Sequence, residues 1–302
     1  MKCLVTGGAG FIGSHLVDRL VKDGHEVVII DDLSTGNKEN LNSNAVWNNM
    51  DIGLSTTPPY LEKIMNGVDV VFHLAAKARV QPSIEDPISF NRANVDGTLH
   101  LLHACKVAGV KRFVFSSSSS VYGNAKQFPT TEECELNPIS PYALQKAIGE
   151  QYCKLFSEVY NLSTVCLRYF NVYGDRMSLD GAYRLVIPIF AQQKLDGESL
   201  TINGDGKQRR DFTHVDDVIE ANIKTGFSKM DFNGDAFNIG NGDNRSVNQI
   251  AEMIGGDVVN LESVIEPKET LAGIGKANFV LNWKPNNKIE DWIKTYKKGL
   301  GI

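Results

Sequence analysis

The glycines of Thr6-Gly7-Gly8-Ala9-Gly10-Phe11-Ile12-Gly13 restrict what the start of this 302-residue chain can build. Before them, Lys2-Cys3-Leu4-Val5-Thr6 is short and apolar, the pattern of a buried strand. After them, Phe11 to Lys22 carries Ile12, Leu16, Leu20 and Val21 at helical spacing. A strand, a glycine turn and a helix in that order aim backbone N–H groups and the positive end of a helix dipole at one spot, which suits a pyrophosphate. Gly7 serves the tight turn, Gly10 the close approach of backbone to ligand and Gly13 the packing of helix on strand. A second apolar run, Glu26-Val27-Val28-Ile29-Ile30, ends in Asp31 and Asp32. That places an acid about 20 residues past the turn, where a carboxylate meets the ribose hydroxyls of an adenosine. The acid would repel the 2′-phosphate of NADP, so NAD is the expected cofactor.

The alternation continues. Val68 to Ala76 reads as a buried parallel strand, residues 88–108 as one long helix, Arg112-Phe113-Val114-Phe115 as a strand running into the serines 116–120, Pro141 to Tyr160 as a helix and Thr164 to Phe170 as a strand. This order predicts an α/β fold, a Rossmann-type doubly wound parallel sheet with ligands at the carboxyl ends of its strands. Beyond Asn171 the elements shorten and glycine turns such as Asn203-Gly204-Asp205-Gly206 appear. Residues 1–170 plus 211–240 are therefore expected to form the NAD-binding domain, and 171–210 plus 241–302 a smaller C-terminal α/β substrate lobe.

Composition removes other classes. A net charge of −5 without a basic run gives no reason to expect nucleic acid. The five cysteines form no CxxC and no metal-ligand spacing, so reduced thiols in a cytoplasmic protein and no bound metal are expected. The start of the chain lacks the n-region and h-region of a signal peptide, and no apolar run is long enough to span a bilayer.

Tyr142 and Lys146 stand four residues apart in a helical segment, so their side chains leave one face. Pro141 suits a first helical turn, which puts Tyr142 near the positive helix end. A nearby ammonium and an oxidised nicotinamide ring would both favour phenolate, lowering a pKa that starts near ~10. Such a phenol can take a proton from a sugar hydroxyl while hydride leaves the same carbon. Ser118, at a strand end, can share that proton and orient the carbinol.

These blocks, with HLAA at 73–76, Asn94-Val95-Asp96-Gly97-Thr98, SSSSVYG at 117–123, SPYALQK at 140–146, RYFNVYG at 168–174, RDFTHVDD at 210–217 and FNIGNG at 237–242, resemble the extended short-chain dehydrogenase/reductase family. Within it the chain looks like the nucleotide-sugar 4-epimerases of the UDP-glucose 4-epimerase type. The resemblance implies Ser118, Tyr142 and Lys146 as catalytic residues. It implies Phe11 and Ile12 against the pyrophosphate, Asp51 and Ile52 around the adenine, Leu74, Ala75 and Ala76 along the path to the nicotinamide, and Asn94 and Tyr169 near the cofactor. Asn171, Val186 and Arg210 match positions that hold the nucleotide diphosphate, Arg210 neutralising phosphate charge. Asn203 falls where an aromatic often stacks near the base, and Lys268 where the phosphate-binding arginine is replaced. The helices at 88–108 and 141–160 could pair across a homodimer, as in relatives.

Two local features bear on the reaction. Related dehydratases and decarboxylases carry an acid just after the position of Ser118, whereas this chain has Ser119-Ser120-Val121-Tyr122; that favours simple epimerisation with recycled NAD. Thr270 aligns where a bulky tyrosine excludes N-acetylated sugars in some members, so UDP-N-acetylglucosamine and UDP-N-acetylgalactosamine are expected alongside UDP-glucose and UDP-galactose. The alternatives are another nucleotide-sugar oxidoreductase, such as a UDP-glucuronate 4-epimerase or a 4-keto reductase, and a non-catalytic NAD-binding sensor.

Overall fold

The computed structural model describes residues 1–177, 185–263 and 267–302. The chain opens with β1 (Lys2–Thr6), α1 (Phe11–Lys22), β2 (Glu26–Ile30), β3 (Val46–Asn48), α2 (Pro58–Ile64) and β4 (Val70–His73). There follow α3 (Val80–Glu85), α4 (Pro87–Asn91), a π turn (Arg92–Asp96), α5 (Gly97–Ala108), β5 (Arg112–Ser118), α6 (Pro141–Tyr160) and β6 (Ser163–Tyr169). Start and stop chemistry is local. Ser140 caps α6 by accepting from the Ala143 N–H, Pro141 opens its first turn, and Asn161 ends it in the left-handed conformation.

The remaining elements are β7 (Val172–Tyr173), α7 (Val186–Leu195), β8 (Leu200–Asn203), β9 (Arg209–Asp211), β10 (Thr213–His214), α8 (Val215–Gly226), β11 (Asp235–Ile239), β12 (Asn244–Ser246), α9 (Val247–Ile254), β13 (Val258–Leu261), α10 (Gly275–Leu281) and α11 (Ile289–Leu300). Seven strands make one sheet in the order β11-β6-β5-β4-β1-β2-β3, and every pairing in it is parallel. The order reverses beside β1, between β2 on one side and β4 on the other, and such a reversal opens a crevice at the carboxyl ends of the strands.

Both faces of the sheet are covered. Leu16, Leu20, Phe72, Val218 and Trp283 belong to one core, with α1 and α8 on that side; Leu61, Leu101, Phe113, Phe156 and Cys166 belong to the other, with α2, α5 and α6. A third core outside the sheet joins Ile187, Phe190, Leu200, Ile250 and Ile293 from α7, β8, α9 and α11. Around it lie two small sheets, β8 with β13 in parallel and β9 with β12 antiparallel.

Two expectations change. The strand expected over 68–76 spans only Val70–His73, and the backbone after it leaves the sheet to run along the crevice. The single helix expected over 88–108 is α4, a π turn and α5. The widened turn carries Asn94, whose buried amide accepts from Lys77 N–H and donates to Lys77 carbonyl and to Gln145 Oε1, each at 2.9 Å. Those bonds tie the segment after β4 to α6, and a π turn is a common device for re-aiming one helical side chain. Among the described residues no helix is long and apolar enough to cross a membrane, and no group of three or more metal-ligating side chains assembles.

Candidate active site

The crevice is a cleft of about 1380 Å³. Its floor is the glycine turn. Gly7 has φ +72°, and a Cβ there would stand 2.7 Å from the Ala75 nitrogen of the neighbouring chain segment. At Gly13 a Cβ would meet the Gly7 carbonyl oxygen at 2.0 Å, so α1 can approach β1 only because that atom is missing. No side chain caps α1. Its first turn, with Gly10, Phe11, Ile12 and Gly13, lies on the cleft wall. An uncapped helix start beside backbone this close is a cradle for a phosphate group.

Asp31 closes the other side of the turn. It is 7 % exposed, accepts from the Ala9 N–H at 2.9 Å and the Leu33 N–H at 2.9 Å, and lies on the cleft wall. Burial pushes its carboxyl above the usual range while those two donors oppose the rise. Asp32 accepts from Ser34 N–H and Oγ. Asp51 and Ile52 reach the same wall, Asp51 in an exposed ion pair of 3.2 Å with Arg92. Glycine cradle, uncapped helix and acid together fit a dinucleotide.

Across the cleft stand Ser118, Tyr142 and Lys146. Ser118 ends β5, and its hydroxyl shares a hydrogen bond with the Tyr142 side chain. Lys146 is 4 % exposed and donates from Nζ to the Ser116 carbonyl at 2.7 Å. Burial lowers its pKa to about 8. Tyr142 differs from the sequence expectation: burial pushes its phenol above 10, opposed by the Ser118 hydrogen bond and by the positive charge of Arg79. The Lys146 ammonium is spent on the strand carbonyl.

The other sequence-derived positions divide. Leu74, Ala75, Ala76, Asn171, Arg210 and Thr270 lie on the cleft wall. Thr270 is held there by its own backbone, its N–H donating to the Arg209 carbonyl and its hydroxyl accepting from the Asp211 N–H at 3.1 Å. Tyr169 borders the cleft, but its hydroxyl is engaged by Ser116 and Asn222. Four positions are absent from the wall. Asn94 braces the wall from behind, as described above. Val186 packs against the third core, Asn203 is exposed at the end of β8, and Lys268 is exposed with its carbonyl accepting from Arg209 N–H.

Sequence reasoning missed several wall residues. Lys77 and Arg79 directly follow the block at 73–76, and reading on from the strand end would have found them. Arg79 has φ +99°, a conformation that costs a non-glycine residue roughly 1–3 kcal/mol. The Ser120 hydroxyl is buried on this wall without a hydrogen-bond partner. Arg176 reaches the cleft while paired at 2.7 Å with Asp18 of α1, a contact no local pattern announces.

A dinucleotide cradle and a Ser–Tyr–Lys set at the carboxyl ends of one parallel sheet define a Rossmann-type protein of the short-chain dehydrogenase/reductase class. The chain belongs to the NAD dependent epimerase/dehydratase family, whose model matches residues 3–240, and NAD is its cofactor. It is 40% identical to the UDP-glucose 4-epimerase of Mycolicibacterium smegmatis, over 97% of this chain and 96% of that one. The crystal structure of the Thermotoga maritima UDP-glucose 4-epimerase with UDP-glucose matches it at TM-score 0.93 and 38% identity, covering 99% of this chain and 100% of that one. The UDP-N-acetylglucosamine 4-epimerase of Methanobrevibacter ruminantium, solved with UDP-N-acetylmuramic acid, matches at TM-score 0.91 and 39% identity, covering 98% and 97%. The protein is an enzyme of the nucleotide-sugar 4-epimerase type.

Proposed function

We propose that this enzyme interconverts UDP-glucose and UDP-galactose, and their N-acetylated counterparts, by inverting the configuration at C4. The observation that carries the reading is the meeting of Ser118, Tyr142 and Lys146 with the glycine cradle in one cleft, without an acid at positions 119 and 120. Bound NAD would supply the hydride acceptor and donor at C4. Gly7, Gly10, Phe11, Ile12, Gly13, Asp31, Asp32, Asp51 and Ile52 would hold it.

Tyr142 takes the proton of the 4-hydroxyl as C4 is oxidised and returns it when the 4-keto sugar has turned over in the site. Ser118, hydrogen-bonded to Tyr142, orients the hydroxyl and shares the proton. Burial leaves the phenol too weak an acid in the free protein, so its activation depends on positive charge: Arg79, and the charge of the oxidised cofactor. The substrate lobe, 171–210 plus 241–302, grips the nucleotide through Asn171 and Arg210 and leaves the hexose free to rotate. Thr270 is small and fixed by β9, which supports room for an N-acetyl group.

The same reading makes the enzyme a cytoplasmic homodimer. Five free cysteines, four of them buried, support a reducing compartment. Leu144, Leu155, Val159 and Tyr160 on α6 and Val107 on α5 are exposed apolar side chains on the two helices that would pair.

The test is product analysis with UDP-galactose and, separately, UDP-N-acetylgalactosamine, with no cofactor added. Both gluco isomers are expected, from enzyme purified with NAD in place. No turnover of either sugar, even with NAD supplied, would sink the sugar assignment.

A further inference from the structure

Three successive residues at the end of β5 are tied to three turns of α6. The Ser116 carbonyl accepts from Lys146, the Ser117 hydroxyl donates to Glu150 Oε1, and the Ser118 side chain bonds Tyr142. Tyr142, Lys146 and Glu150 are spaced by four, so they share a face of α6. Glu150 touches no part of the cleft wall. It is buried, 6 % exposed, against Arg168 of β6, which is equally buried. Arg168 donates from Nε to Oε1 at 2.9 Å and from Nη2 to Oε2 at 2.7 Å. Its Nη1 donates to the Tyr122 hydroxyl at 2.7 Å, and that hydroxyl donates to Asn238 Oδ1 at 2.7 Å.

A buried ion pair is a poor way to hold a fold together, because apolar side chains of the same volume commonly do as well or better. What a carboxylate adds is an electric potential, felt strongly where water is excluded. We propose that Glu150, held by Arg168, is a positioning residue of the reaction centre: it fixes the strand end that presents Ser118, and its charge keeps Lys146 protonated. The inference rests on the reaction read above.

Among the groups that act on Lys146, Glu150 is the carboxylate. Cys153 and Glu150 on α6, Cys166 on β6 and His73 on β4 act on the charge of Lys146, its ammonium lies 4.9 Å from the centre of the Phe115 ring, and Cys105 on α5 borders Cys153. Burial drives the Cys105 thiol up and the His73 imidazole down, and a hydrogen bond with Cys153 followed by burial drives the Cys166 thiol up, so none of these three is charged at neutral pH. Cys153, Glu150 and Cys166 oppose the fall of Lys146 toward neutrality, and Glu150 is the one carboxylate among the three.

The experiment is a titration of Lys146 in the resting enzyme, by NMR of lysine labelled at Cε and assigned with Lys146→Met, beside the pH profile of turnover. Glu150→Gln keeps an oxygen that accepts from Ser117 and Arg168 Nε, loses the acceptor for Arg168 Nη2, and removes the charge. Its Lys146 should titrate about one pH unit lower, a tenfold smaller ratio of protonated to neutral amine at a given pH. The alkaline limb of kcat/KM should move with it, while KM for the sugar at pH 7 changes little. In Glu150→Gln/Arg168→Gln both charges are gone, and the titration should return toward that of the parent. A Lys146 titration unmoved in Glu150→Gln, or in Arg168→Gln should the first not fold, with turnover lowered equally at every pH, would assign Glu150 a structural role alone and overturn the proposal. The titration needs no substrate, so it stands or falls separately from the choice of sugar.

Discussion

The imidazole of His73 bridges two threonines, with Nδ1 2.8 Å from Thr6 Oγ1 and Nε2 2.9 Å from Thr98 Oγ1. Thr98 donates its own proton to the Asn94 carbonyl, so it accepts from His73 Nε2–H, and Nδ1 accepts from the Thr6 hydroxyl. Thr6 in turn accepts from the Ala75 N–H. The end of β1, the segment after β4 and the π turn that carries Asn94 are thereby joined through one neutral ring.

Protonation of that ring would disturb the whole chain of bonds. Burial holds its pKa well below 6.5 in the folded protein, whereas the unfolded chain takes up a proton near 6.5. The unfolded state therefore binds more protons below that value, and stability falls as pH drops beneath about 6.5 and is full above it. Urea unfolding at pH 5 and pH 7 should show this loss in the parent and a smaller loss in His73→Gln. Equal losses in the two proteins would remove His73 from the account.

The glycine cradle gives a second expectation. In Gly13→Ala the new methyl collides with the Gly7 carbonyl at 2.0 Å, backbone against backbone, so α1 must move away from β1. The variant should melt at a lower temperature and carry much less NAD per chain after gel filtration, read by the absorbance ratio and by extraction. Full retention of NAD would place the cofactor somewhere other than this cradle.

At the reaction centre, Tyr142→Phe should abolish turnover while leaving NAD bound, since the phenol supplies the proton transfer. Ser118→Ala removes one hydrogen bond to Tyr142 and should lower kcat by about 10²- to 10⁴-fold, the usual worth of a positioned acid or base. Single-turnover assays with the cofactor content checked separate the two effects. Wild-type rates in Tyr142→Phe would refute the assignment.

Thr270 offers a selectivity test. Its backbone is pinned to Arg209 and its hydroxyl to the Asp211 N–H, so a larger side chain has to project into the cleft. Thr270→Tyr should lose activity on UDP-N-acetylgalactosamine far more than on UDP-galactose. Undiminished N-acetyl activity would count against this wall as the site of discrimination.

Local pattern was sufficient for a good part of this molecule. The limits of β1, α1, β2 and α6 follow from apolar spacing, from Pro141 and from the glycines, and these are the elements that carry the cradle and the Tyr142–Lys146 pair. Helical spacing also runs unbroken through residues 88–108, because one widened turn leaves the apolar stripe almost in place. That is why the π turn was invisible: its cause lies in Lys77 and Gln145, which are remote from Asn94 in the chain.

The order of elements, the family and the chemistry-bearing side chains are all written in short spacings of residue types along the chain. Tertiary structure alone decided which charges those side chains feel. Arg79 beside Tyr142, Glu150 under Lys146 and Arg176 paired with Asp18 of α1 are contacts of packing. Burial and Coulomb interaction depend on distances through space, and separation along the chain does not encode them.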